Sequence, residues 1–141
     1  MTALILASGS SIRRQMLENA GVEFEVVRPD VDEHEAKSGK SDAAEIAKGL
    51  AEAKALSVSV TRPDDWVIGG DSIVAVAGRL FDKPASREEA AEHLRFFGGK
   101  KMVLTSGVAL ARDGAVDWSH VGMAGLVVRE LTEEFIDFYL D

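Results

Sequence analysis

The stretch ALILASGSSIRRQMLENAG, residues 3–21, passes from an apolar run through small polar residues into a helical pattern. Strand, loop and helix in that order are the unit from which α/β folds are built. ALILAS reads as a buried strand feeding a turn. Ser10 or Ser11 then caps a helix whose inward side is Ile12, Met16, Leu17 and Ala20, stopped by Gly21. Arg13 and Arg14 fall in the first turn, at the positive end of the helix dipole, where acids are the usual residents. A phosphate resolves that conflict: the loop Ser8–Gly9–Ser10 offers backbone N–H groups and the two guanidinium groups offer neutralising forks. Two solvated arginines are the alternative on this feature alone. The GxxxxGK[ST] spacing of a Walker loop is absent.

Outward from this unit, α and β patterns alternate. VEFEVVRPDVDE, residues 22–33, begins as a half-buried strand and reaches an acidic run. Asp42 with Glu45 forms a capping box for a helix to about Leu56. DWVIGGDSIVAVAGRLFDKP, residues 65–84, reads as two or three strands with a tight turn at Ala77 and Gly78, and Gly69 and Gly70 mark a bulge or a close backbone approach. Ser86 and Glu89 open a helix carrying Ala90, Leu94 and Phe97 on one side. KMVLTSGVALA and MAGLVVREL are strand-like, with RDGAVDWSHVG, residues 112–122, as the polar connection. A last helix begins near Thr132.

The chain has 141 residues, a net charge of −8 and no cysteine. That length suits one domain spanning residues 1–141. The charge argues against a nucleic-acid polymer as partner, and the missing thiols exclude a disulfide framework, a cysteine nucleophile and a zinc–cysteine site. No apolar run approaches the roughly 20 residues of a membrane helix, and MTALIL lacks the basic start of a signal peptide. The expectation is a cytoplasmic protein without a membrane.

Several residues carry chemistry. Asp30, Asp32, Glu33 and Glu35 could bring two or three carboxylates onto a hard cation such as Mg²⁺, or be a solvated loop. His34, expected to be exposed, and the scattered His93 and His120 make no zinc pattern. Lys54 falls on the apolar stripe of its helix, so it snorkels or meets an anion. Asp71 stands at a glycine-marked irregularity in an apolar strand, where it either caps a turn or does chemistry. Lys83 before Pro84 has restricted backbone freedom and otherwise reads as a loop lysine. Together these are the parts of metal-assisted phosphoryl chemistry.

The order of LASGSSIRRQMLENAGVEFEVVRPDVDE, AEAKA, VIGGDSIVAVAGRLFDKPAS and TSGVAL resembles the Maf-like nucleoside triphosphate pyrophosphatases along the whole chain. The resemblance implies an inosine-triphosphatase-like fold, with a mixed sheet flanked by helices and two lobes around a cleft. It implies hydrolysis of a nucleoside triphosphate to monophosphate and pyrophosphate with Mg²⁺ or Mn²⁺. It places Ser8, Arg13 and Arg14, with Ser10 in the same loop, on the substrate phosphates. Glu33, Lys54, Asp71 and Lys83 surround metal, water and phosphates, Glu33 and Asp71 as metal ligands and Asp71 as general base. Ser11 stands where the family commonly has proline. Ile12 before Arg13 and Arg14 looks like the branch acting on 7-methyl-GTP more than the branch acting on dTTP and UTP, and GGDSIV matches neither cleanly. Family chains continue beyond the position of Asp141, so this chain is expected to lack a C-terminal segment. An apolar patch near the last helix, covered in a homodimer, and a non-catalytic nucleotide-binding or regulatory role as the alternative function follow from that expectation.

Overall fold

The computed structural model describes residues 3–37, 39 and 42–141, and for His34 and Ala36 the backbone alone, so the expected exposure of His34 lies outside it. The elements run β1 (Leu4–Ala7), α1 (Ser11–Asn19), β2 (Glu25–Val27), α2 (Glu33–Lys37), α3 (Ala43–Ser59), β3 (Trp66–Val76), β4 (Arg79–Phe81), α4 (Arg87–Phe97), β5 (Lys101–Arg112), β6 (Ala115–Val127) and α5 (Glu133–Leu140). Among the described residues they form a mixed six-stranded sheet of order β2-β1-β3-β5-β6, with β4 beside β3. β1 is parallel to both β2 and β3, and β3 is antiparallel to β4.

The chain divides into two compact units, Met1–Ser72 with Ser106–Gly122, and Ile73–Thr105 with Met123–Asp141. In the first, Ile5, Ala7 and Val67 pack with Ala51, Ala55 and Val58 of α3 and with Ala109 and Ala111 of β5. Small residues let α3 approach closely. A Cβ on Gly69 would overlap the carbonyl oxygen of Ala51 and lie 2.7 Å from Ala55 N, and one on Gly107 would lie 2.5 Å from Ala47 O. Gly69 therefore marks the close approach that the Gly-Gly pair suggests, inside an uninterrupted strand.

The parallel strands β1, β2 and β3 share one direction, so their two ends differ in character. At the N-terminal end, Asp65 Oδ1 accepts from Ala3 N at 3.0 Å. Arg62 donates to Asp65 at 2.9 Å and to both carboxylate oxygens of Glu25 at 3.1 and 2.9 Å. The Arg62 hydrogen bonds hold Glu25 below the usual carboxylate range; for Asp65 the Ala3 N–H contributes most. The C-terminal end carries Ser8 after Ala7 and Arg28 after Val27, two residues that the register Ala7↔Val27 places side by side.

In the second unit Phe81 stands edge-on to Phe97 at 4.8 Å between ring centroids, with Val76 completing a small core. The turn at Ala77 (φ 51°) and Gly78 (φ 77°) joins β3 to β4 in the paired positive-φ geometry of a tight hairpin. Ser86 and Thr132 cap their helices by accepting from the N–H three residues on, at 3.1 Å in each case. On α5 Ile136 is buried, while Phe138 and Tyr139 are exposed, as are Met123, Leu126 and Val127 on β6.

Three local expectations are corrected. α1 buries none of its residues: Ile12 and Met16 are 70% and 64% exposed. The helix is anchored instead by its Ser10 cap and by Arg13, and its apolar side borders an open cavity. α3 continues to Ser59, three residues past Leu56. RDGAVDWSHVG is not a connection, because Asp113 (φ 53°) and Gly114 (φ 72°) make a two-residue turn and β6 begins at Ala115. An Asp-Gly pair between strands is a strong hairpin signal. Among the described residues no helix is long and apolar enough to cross a membrane.

Candidate active site

Lys54 projects from α3 toward β3 and meets two carboxylates, Glu33 Oε1 at 2.7 Å and Asp71 Oδ1 at 3.2 Å. The alternative of a snorkelling lysine is thereby settled in favour of an anion partner. Asp71 is 9% exposed and Lys54 is nearly as enclosed, whereas Glu33 is half exposed. Asp71 Oδ2 is buried without a hydrogen-bond partner. Burial pushes the Asp71 carboxyl above its ordinary value of 3.8, against the opposing pull of Lys54. A buried carboxylate oxygen without a donor is costly unless a cation or a proton reaches it.

The other half of the site begins at the N-terminus of α1. Ser8 Oγ accepts from Ser10 N at 3.0 Å, and Ser10 Oγ caps α1 by accepting from Arg13 N at 3.3 Å. The Arg13 side chain turns back across the loop, with Nη1 3.5 Å from Ser8 Oγ and Nη2 3.3 Å from Ser72 Oγ. Ser72 in turn lies 3.0 Å from Ser106 Oγ. Gly70 leaves room for this path, since a Cβ there would sit 3.1 Å from Arg13 Nε. Successive strand residues face opposite sides, so Gly69 lets α3 approach while Gly70 admits Arg13. Arg13, Ser10, Asp71, Ser72 and Ser106 border one cavity of about 480 Å³ whose other wall includes Ile12 and Met16.

The structure thus brings Glu33, Lys54 and Asp71 together, and separately Ser8, Ser10 and Arg13. Arg14 turns away along the helix to Glu18, 3.0 Å distant, as side chains one residue apart on a helix diverge. Lys83 is exposed between β4 and α4, in the second unit. The acidic run does not converge: Asp32 caps the N–H of Glu35 at 3.0 Å and Asp30 is exposed. Among the described residues no three acidic or histidine side chains are grouped to hold a metal. The sequence reading did not single out Ser72 and Ser106: Ser72 directly follows Asp71, which was a signal, whereas Ser106 comes beside it only because β3 and β5 are neighbours in the sheet.

Glu33 and Asp71 nonetheless fit a hard divalent cation. Mg²⁺ commonly takes one or two protein carboxylates and completes its shell with water and substrate phosphate, and the unpartnered Asp71 Oδ2 supplies an enclosed oxygen donor.

The fold is shared with a HAM1 protein from Coxiella burnetii, at a TM-score of 0.56 and 18% identity over 89% of this chain and 71% of that one. Sequence comparison is more specific. The chain belongs to the Maf-like family, whose model matches residues 3–141. It is 44% identical to a nucleoside triphosphate pyrophosphatase of Nitrobacter winogradskyi, covering 98% of this chain and 69% of the relative. It is 45% identical to a 7-methyl-GTP pyrophosphatase of Rhizobium etli, covering 97% of this chain and 71% of the relative.

Proposed function

We propose that this chain hydrolyses a nucleoside triphosphate to the monophosphate and pyrophosphate with a divalent cation, Mg²⁺ or Mn²⁺. The observation that carries the reading is Lys54 held between Glu33 and Asp71, with one buried oxygen of Asp71 left open. A cation on Glu33 and Asp71 would supply charge neutralisation for the phosphates. Asp71 orients a water and accepts its proton as the water oxygen bonds to the α-phosphorus, and the P–O bond to the β-phosphate breaks. The loop N–H groups and Arg13 hold the charge of the departing pyrophosphate. Lys54 fixes both carboxylates and lies within reach of the same phosphates. Lys83 and Arg14 belong to the proposal as outer cations, Arg14 by exchanging Glu18 for phosphate.

The two kinds of relative match at nearly equal identity, and the Ile12–Arg13–Arg14 arrangement supports 7-methyl-GTP as the first substrate to try. Pyrophosphate release measured over 7-methyl-GTP, GTP, dTTP and UTP tests the reading; no release from any of them would remove it. Activity is expected to require Mg²⁺ or Mn²⁺ and to survive zinc-selective chelation, because the donors are oxygens. Undiminished turnover in excess EDTA would overturn the cation assignment. Since Asp71 works ionised and its pKa is raised, turnover rises with pH through that pKa. At subsaturating Mg²⁺, where proton and cation compete for this carboxyl, the acid limb of kcat/KM is expected above the ordinary aspartate value of 3.8, and a pH–rate profile checks it. The same proposal includes a cytoplasmic homodimer, supported by the exposed Phe138 and Tyr139 on α5; light scattering measures the assembly.

A further inference from the structure

We propose that Arg28 is an additional phosphate-binding residue that closes the anion loop on the side of β2, an inference that rests on the pyrophosphatase reading. Most arginines of the chain have a visible occupation. Arg14, Arg62, Arg87 and Arg95 pair with carboxylates, and Arg79, Arg112 and Arg129 lie over aromatic rings. Arg13 donates to Ser8 and Ser72. Among the described arginines Arg28 alone has neither carboxylate, hydroxyl nor ring. Its nearest acidic neighbour on β2, Glu25, gives both oxygens to Arg62.

Arg28 nevertheless has a definite place. A Cβ on Gly9 would lie 3.7 Å from Arg28 Nε and 3.8 Å from Nη2, so the guanidinium lies along the backbone of the loop. The register Ala7↔Val27 sets this approach, because the residues that directly follow the two parallel strands are Ser8 and Arg28. The loop is therefore approached by two guanidinium groups, Arg13 reaching Ser8 from α1 and Arg28 lying beside Gly9 from the end of β2. Guanidinium groups and backbone N–H groups are donors; Arg13 meets only hydroxyls and Arg28 no acceptor side chain, and a loop approached by two positive charges suits an anion. An oxyanion seated on the loop meets Arg28 from one side and Arg13 from the other. A substrate phosphate provides that anion, and so does the pyrophosphate product.

Calorimetry with inorganic pyrophosphate and Mg²⁺, on wild type, Arg28→Ala, Arg28→Lys and Arg62→Ala, tests the assignment, alongside nucleotide kinetics. Arg28→Ala is expected to weaken pyrophosphate binding about tenfold and to raise KM by a similar factor, with a smaller change in kcat, as for one lost charge-assisted contact. Arg28→Lys recovers part of the affinity, since the charge is restored without the fork. Arg62→Ala, which removes a cation already paired at the other end of the strands, leaves affinity within about twofold. Equal pyrophosphate affinity in wild type and Arg28→Ala, or no binding by wild type, would overturn the role of Arg28. A wild type that binds pyrophosphate through Arg28 yet releases none from any nucleotide would instead remove the catalytic reading and keep the site.

Discussion

Asp71→Asn is expected to lower pyrophosphate release by at least about two orders of magnitude, the usual effect of losing a general base, while the protein stays folded. Asparagine has nearly the shape of aspartate but neither accepts a proton from water nor contributes charge to a cation. The stability side has a definite sign. The folded state raises the pKa of Asp71, so it favours the protonated carboxyl. The stability linked to that preference is present below the ordinary aspartate pKa and is lost as pH rises through the raised value. The neutral asparagine escapes that loss. Without cation or nucleotide, the variant should melt no lower than wild type at neutral pH, and any advantage should fade as the medium is acidified. A variant that melts well below wild type at pH 7 would mean that Asp71 serves chiefly to hold Lys54. Wild-type turnover in a folded variant would take Asp71 out of the mechanism.

Gly69→Ala is expected to destabilise the protein by on the order of 3 kcal/mol, read as a fall in melting temperature of about 10 °C. The added methyl overlaps the backbone of α3 at Ala51 and Ala55, and backbone cannot turn aside as a side chain does. α3 must lift from the sheet, which also draws Lys54 away from Asp71. Gly70→Ala is the informative contrast. Its methyl meets the side chain of Arg13, which has rotamers to spare, so the expected effect is a higher KM for nucleotide with little change in melting temperature. Equal stability losses in the two variants would contradict the opposite facing of these two glycines.

Much of this was legible in the sequence because local chemistry and tertiary structure agree. The strand–loop–helix start, the caps at Ser10, Asp42, Ser86 and Thr132, and the turn at Ala77–Gly78 all follow from residues adjacent in the chain. The stripe position of Lys54 and the setting of Asp71 indicated that each needed an explanation, and the two turn out to explain one another. The miss on Ile12 and Met16 has a physical reason: periodicity shows which residues share a side of a helix, not whether that side faces core or cavity. The acidic run, open between a cation site and a solvated loop, stays mostly solvated for a similar reason. Carboxylates close in sequence are separated as soon as one caps a helix turn, and it was Glu33 alone that reached a lysine twenty-one positions away. Arg28 and Ser106 were hidden because their relevance depends on which strand ends lie side by side.

The ion pairs at the N-terminal end of the parallel strands, Arg62 with Glu25 and Asp65, have a consequence for how the molecule responds to ionic strength. Glu25 is half exposed and Arg62 more than a third, so mobile ions reach the first of these pairs readily. Lys54 and Asp71, at 11% and 12% side-chain exposure, are shielded from them. Added salt therefore acts on two properties through opposite ends of the same three strands. Arg62 contributes to the thermal response to salt together with the exposed pairs of Arg14, Arg87 and Arg95, whereas the affinity response originates where phosphate meets Arg13 and the loop. Substituting Arg62 should flatten the dependence of melting temperature on salt without altering the dependence of KM on salt, so that one titrant, read two ways, separates what holds these strands together from what they hold.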